Sequence, residues 1–254
     1  MQTINWKRVL RLSIVALVFL FIIFYLSLSW VFVQGLVNVT CTQETPLSSI
    51  VPQPILEKVP LQDYRELEIW HYSSRNRALI ISLGGMQGST GTRNPPVEFL
   101  LEAGYGVVQV PARTCALPPG KVTLGYQESL DANLILQTVL SNHENIQNVG
   151  VIGYSMGGAA ALQFAARNPQ VTAVVAEGGY GNLGRNFYNS ENELFVIPLQ
   201  LAMLGWYRLY TGVDPWQSDP LGVIGQISPN AVFLIYGDNE IIGPHPQDQF
   251  EAAG

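Results

Sequence analysis

The chain is short of charge, cysteine and histidine. Charged residues make up 13 % of its 254 positions, and it has two cysteines and three histidines. Cys41 and Cys115 stand far apart and show none of the close pairing of a zinc or iron–sulfur site, so no metal ligand set is read from the chain. All 19 acids follow Gln34, against ten of the 13 bases, which leaves that part near −9. Such a balance excludes the basic surface that a nucleic-acid partner needs. The Gly-rich run Gly84-Gly85-Met86-Gln87-Gly88-Ser89 is not followed by G-K-[ST], so it is not a phosphate loop. No cofactor is implied.

What is abundant is apolar residue, much of it in one segment. Leu12 to Val33 is almost wholly apolar, and at 1.5 Å per residue it spans roughly 33 Å, enough to cross a hydrocarbon core. The run exceeds a signal peptide's apolar region, and Val33-Gln34-Gly35 is a poor small-residue cleavage site. Residues 12–34 are therefore read as an uncleaved transmembrane helix. Lys7, Arg8 and Arg11 precede it and no base follows until Lys58. That asymmetry puts residues 1–11 in the cytoplasm and the remainder on the outer side, periplasmic or extracellular. Export would allow Cys41 and Cys115 to pair; two unpaired thiols is the other reading. Asn38-Val39-Thr40 is a glycosylation sequon that matters only in a eukaryotic secretory pathway.

The centre of the chain is Asn148 to Leu162. Val149, Val151 and Ile152 suit a buried parallel strand, and Gly157 to Arg167 has a helical pattern stopped by Asn168-Pro169. Between them Gly153-Tyr154-Ser155-Met156-Gly157 fits G-x-S-x-G, the strand-to-helix turn that presents a serine nucleophile. The glycines are needed because a side chain two residues either side of the serine meets the adjoining strand and helix. The helix N-terminus behind Ser155 favours developing negative charge.

Around this centre the pattern alternates strand and helix. Residues 35–62, with four prolines, read as a linker, and 63–254 as the domain. Residues 66–72, 78–83, 105–110, 171–176 and 231–236 read as strands. Helices are expected at 97–103 and 126–140, with a short one starting at Asp219-Pro220. His71 reads as structural and His143 as surface. Residues 181–216 hold many aromatics and read as a mostly helical, lid-like insertion over the serine.

This order resembles the α/β-hydrolase family over residues ~65–250: a mostly parallel sheet with helices on both faces. The resemblance rests on Gly84-Gly85-Met86, on the turn at Ser155, and on Tyr236-Gly237-Asp238-Asn239-Glu240, where the family often has His-Gly-x-x-Asp. The segment Asp219 to Pro244 is similar to the acid-bearing region of membrane-anchored serine hydrolases related to acyl-esterases and lysophospholipases. It implies Ser155 as nucleophile, Glu240 as the acid with Asp238 as the alternative and Glu177 a remoter one. The Met156 and Met86 N–H groups, with Gly85, would form the oxyanion hole. The implied substrate is a small or lipid-like acyl compound.

The family places its catalytic His after one more strand and helix. His245 is five residues beyond Glu240 on the same loop, a poor position for a base serving Ser155. Phe250 to Gly254 reads as the opening of a helix, so the expectation is a truncated product whose catalytic His lies beyond residue 254. The alternative function is a non-catalytic, hydrolase-like binding or interaction domain.

Overall fold

A computed structural model describes residues 5–46, 53–87, 97–143, 145–189, 193–237 and 246–254. Helix α1 (Trp6–Val37) is capped by the Asn5 side chain, which accepts from the Arg8 N–H at 3.3 Å. It is long and apolar enough to span a membrane. Its residues up to Phe24 are bare, whereas Ser29, Val33 and Val37, spaced four apart on one face, are buried.

Seven strands follow with helices between them: β1 (Ile55–Pro60), β2 (Glu66–Tyr72), β3 (Ala78–Leu83), α2 (Glu98–Glu102), β4 (Gly106–Val110), α3 (Tyr126–Asn142), β5 (Asn148–Tyr154), α4 (Met156–Arg167) and β6 (Val171–Glu177). Then come α5 (Leu183–Phe187), α6 (Ile197–Thr211), α7 (Pro220–Val223), β7 (Ala231–Ile235) and α8 (Pro246–Ala253). The sheet order is β1-β2-β4-β3-β5-β6-β7. β1, β2 and β4 pair antiparallel, and β4 through β7 run parallel. Continuous apolar runs make β3 and β5 interior strands, with Leu79, Ile81, Val149 and Val151 against Ile135, Leu136 and Phe164 of the flanking helices. On β7 only Val232 and Leu234 pack on this core; Phe233 is 62 % exposed.

The stretch read as linker departs from expectation. α1 runs on to Val37, Cys41 is bonded to Cys115, and Ile55–Pro60 is the edge strand β1. The disulfide ties the end of α1 to the loop after β4, across 74 positions. Near it Arg113, buried, donates to Asp63 and Asp131. Burial, with Glu128 and Asp63 adding to it and Arg113 opposing it, lifts the Asp131 carboxyl to about 7.

The aromatic insertion also takes a different place. α6 packs along α1: the Trp206 indole donates to the Leu26 carbonyl at 2.9 Å, and the Tyr25 hydroxyl to that of Phe195 at 2.7 Å. Trp30 stands edge-on to Trp206 and Tyr210, at 5.0 and 5.2 Å. On its other side Tyr207 is fully buried and donates to the Thr123 carbonyl at 2.8 Å. The aromatics of α6 are thus spent on joining α1 to the domain.

Candidate active site

The register brings four strand ends level. Leu83 of β3 pairs with Gly153 of β5, Gly153 with Ala176 of β6, and Ala176 with Leu234 of β7. The loops that leave these ends begin at Gly84, Ser155, Gly178 and Tyr236, all at the carboxyl edge of the parallel strands. That edge is where open α/β sheets bind ligands.

Ser155 joins β5 to α4 with φ 54° and ψ −120° and is exposed. A non-glycine residue held in that region stores about 1–3 kcal/mol, which the surrounding packing must hold in place. Packing does so through two glycines. A Cβ at Gly153 would stand 2.0 Å from the Gly157 carbonyl oxygen, and one at Gly157 would stand 2.2 Å from that of Leu83. Only bare backbone allows β5, α4 and β3 to approach this closely, and the turn so formed pushes the serine outward. The Ser155 N–H donates to the Glu177 carbonyl at 2.7 Å, and its carbonyl accepts from the N–H of Gly158 at 2.9 Å.

Met156 opens α4 and is buried, so its N–H is one of the unpaired donors of the helix N-terminus. The Gly84-Gly85-Met86 loop crosses beside it: a Cβ on Gly85 would lie 3.6 Å from the Ser155 Cβ. The structure therefore brings Ser155, Met156 and Gly85 together, with Met86 packed against the cluster that contains Met156. Ser155 opens on a cleft of ≈ 390 Å³ lined by Tyr154, Glu177, Gly178, Ile235, Tyr236 and Gly237. No described residue of 181–216 lines that cleft.

Asp238, Glu240 and His245 lie outside the described residues. The described chain stops at Gly237, which lines the cleft, and resumes at α8. There Gln249, buried, accepts from the Tyr236 hydroxyl and donates to the Tyr180 carbonyl at 3.1 Å. The remoter acid, Glu177, ends β6 in the cleft itself.

The other two histidines are elsewhere. His71 on β2 is 1 % exposed, although its strand reads as a half-solvated alternation, and His143 caps α3. Both face Glu57 of β1, which three intervening strands separate from β5. No spacing links residues 57, 71 and 143, so this cluster has no sequence signature; β1 itself is hidden between Pro54 and Pro60.

A serine turned outward at a strained strand-to-helix bend, on this sheet order, defines an α/β-hydrolase. More narrowly, the chain belongs to the X-Pro dipeptidyl-peptidase (S15) family, whose model matches residues 42–225. Among solved structures it is similar to an esterase of Pyrococcus furiosus, at 22 % identity and TM-score 0.60, over 85 % of this chain and 84 % of that one. It is also similar to the acylaminoacyl peptidase of Pyrococcus horikoshii, at 15 % identity and TM-score 0.57, over 79 % of this chain and 35 % of that one. A third likeness is to the α/β hydrolase GrgF of Penicillium sp. sh18, at 15 % identity and TM-score 0.52, over 80 % and 85 %. At these identities the structures establish the fold alone. No curated protein matches the sequence.

Proposed function

We propose that the protein is a membrane-tethered serine hydrolase of acyl bonds in which Ser155 is the nucleophile. The observation that carries the reading is the backbone of Ser155, strained and exposed at the N-terminus of α4 with the Gly85 backbone alongside. Ser155 Oγ attacks the acyl carbonyl, and the N–H groups of Met156 and of Met86 or Gly85 receive the oxyanion. Glu240, or Asp238, orients the imidazole that takes the serine proton. His71 and His143 face Glu57 and do not fill that role; His245 is the remaining histidine of the sequence. The substrate is an ester or a peptide-like amide, as the names of the family and of the structural relatives suggest for those proteins. The alternative, a hydrolase-like binding domain, draws on the placement of His71 and His143.

The tether is supported by length. Trp6 to Phe24 rises about 28 Å, close to the hydrocarbon thickness, before the Phe195 carbonyl and then α6 take hold of α1 at Tyr25 and Leu26. The Cys41–Cys115 disulfide supports an oxidising outer side for the domain, in line with the basic residues before the span. The test is turnover of p-nitrophenyl esters of rising chain length, and of an X-Pro anilide, by the full chain in detergent. Ser155→Ala should reduce whichever activity is found by about 10³-fold or more, and His245→Ala shows whether that ring is the base. Absence of turnover on every acyl substrate, together with no fluorophosphonate labelling of Ser155, selects the binding-domain reading.

A further inference from the structure

Glu57, His71 and His143 form a compact cluster that the reaction at Ser155 does not use. β1 and β2 pair with Ile55 opposite His71 and Glu57 opposite Ile69, so Glu57 and His71 are diagonal neighbours on one face. Glu57 Oε1 lies 2.6 Å from His71 Nδ1 and 3.0 Å from His143 Nε2. The two rings stand edge-on at 4.3 Å. A carboxylate offers no donor, so both imidazoles present N–H groups to one oxygen. We propose that this cluster is a binding site for a divalent ion of the zinc class, held by Glu57 Oε1, His71 Nδ1 and His143 Nε2.

The donor set is chemically apt: two imidazoles and a carboxylate are ordinary zinc ligands, with a water left for the fourth position. The three ligand atoms lie within 4.8 Å of one another. Tetrahedral ligands at about 2.0–2.2 Å from zinc stand roughly 3.3 Å apart, so entry requires the two contacts to open by less than 1 Å. Both rings need only exchange tautomers: the proton at the ligating nitrogen moves to the other one, and none is released from a neutral ring. Asn142 also donates to the second oxygen of Glu57, at 3.4 Å. His143, partly exposed at the end of α3, provides the way in. One feature limits affinity. His71 Nε2 is buried with no partner among the described residues, and a missing outer hydrogen bond weakens metal binding about 10–100-fold. A Kd on the order of micromolar is expected rather than the tighter binding of a closed structural site. Bound there, the ion would staple the β1–β2 pair to the end of α3.

The experiment uses the full chain without a histidine tag, disulfide intact, in detergent. Equilibrium dialysis against about 10 µM ZnCl2, followed by metal analysis, should leave close to one zinc per chain. Cobalt in its place should give the visible absorption of a tetrahedral site. His143→Ala, at a partly exposed position, and Glu57→Gln should each weaken binding at least about 10-fold with unchanged circular dichroism, because each removes one of three ligands. His245→Ala should bind as the wild type does. If the wild type holds no more zinc than His143→Ala and Glu57→Gln, the cluster is a hydrogen-bonded trio only and the proposal is overturned.

Discussion

Replacing Gly157 by alanine tests the geometry that presents Ser155. The added methyl would sit 2.2 Å from the Leu83 carbonyl oxygen and 2.5 Å from that of Gly84. A carbon and a carbonyl oxygen need about 3.3 Å, so α4 must retreat from the end of β3 by roughly 1 Å. Both obstacles are backbone, and β3 is an interior strand that cannot shift alone. Overpacking of this kind costs about 1–3 kcal/mol, which in a domain of this size lowers the thermal midpoint by roughly 2–12 °C. The same movement displaces Ser155 from Gly85, and misplacement of reacting groups by about 1 Å slows reaction about 10²-fold. The assay pairs a melting curve with the rate of labelling by a fluorophosphonate probe. Gly205→Ala is the control: Gly205 lies inside α6 with nothing within 4 Å, so alanine should raise the midpoint through helix propensity. Wild-type labelling and melting in Gly157→Ala would refute the close approach of α4 to β3, and with it the cause given for the exposed serine.

Ser155→Gly should raise the thermal midpoint while abolishing labelling, because glycine occupies φ 54° without strain; an unchanged or lower midpoint would count against stored strain there. Replacing both Cys41 and Cys115 by serine should destabilise by about 4 kcal/mol on the chain-entropy view for a 74-residue separation, and a melting curve indistinguishable from wild type would contradict it. Arg113→Leu leaves Asp131 buried without its cation and should cost up to about 3–5 kcal/mol at alkaline pH, where that carboxyl is ionised. The folded Asp131 carboxyl, facing Arg113, Asp63 and Glu128, titrates near 7, above its unfolded value. Its contribution to stability is thus full below about pH 4 and lost as pH rises through about 7, so the variant's deficit should shrink on acidification; a deficit that grows would reverse the sign.

Much of this architecture was legible because single residue types carried it. Gly153 and Gly157 bracket Ser155 at the spacing that close backbone approach requires, and the apolar runs 78–83 and 149–152 mark strands buried on both faces. β1 was not legible: Glu57 and Lys58 interrupt its apolar residues, and Pro54 and Pro60 disguise it as linker. The aromatic wealth of 181–216 marked a buried surface without naming the surface it meets. Trp206 and Tyr207, neighbours on α6, meet different partners, α1 and the domain, and apolarity alone cannot separate those partners from a substrate. The Glu57–His71–His143 cluster arises through the pairing of β1 with β2 at the sheet edge and the packing of the end of α3 beside it, a long-range outcome with no local pattern.

The central claim is that Ser155 is the nucleophile, and covalent labelling tests it most directly. Full-length protein treated with a fluorophosphonate probe should gain a single adduct, mapped by mass spectrometry to Ser155, and Ser155→Ala should gain none. An adduct of equal yield in Ser155→Ala, or one mapped to another side chain in the wild type, would contradict the account.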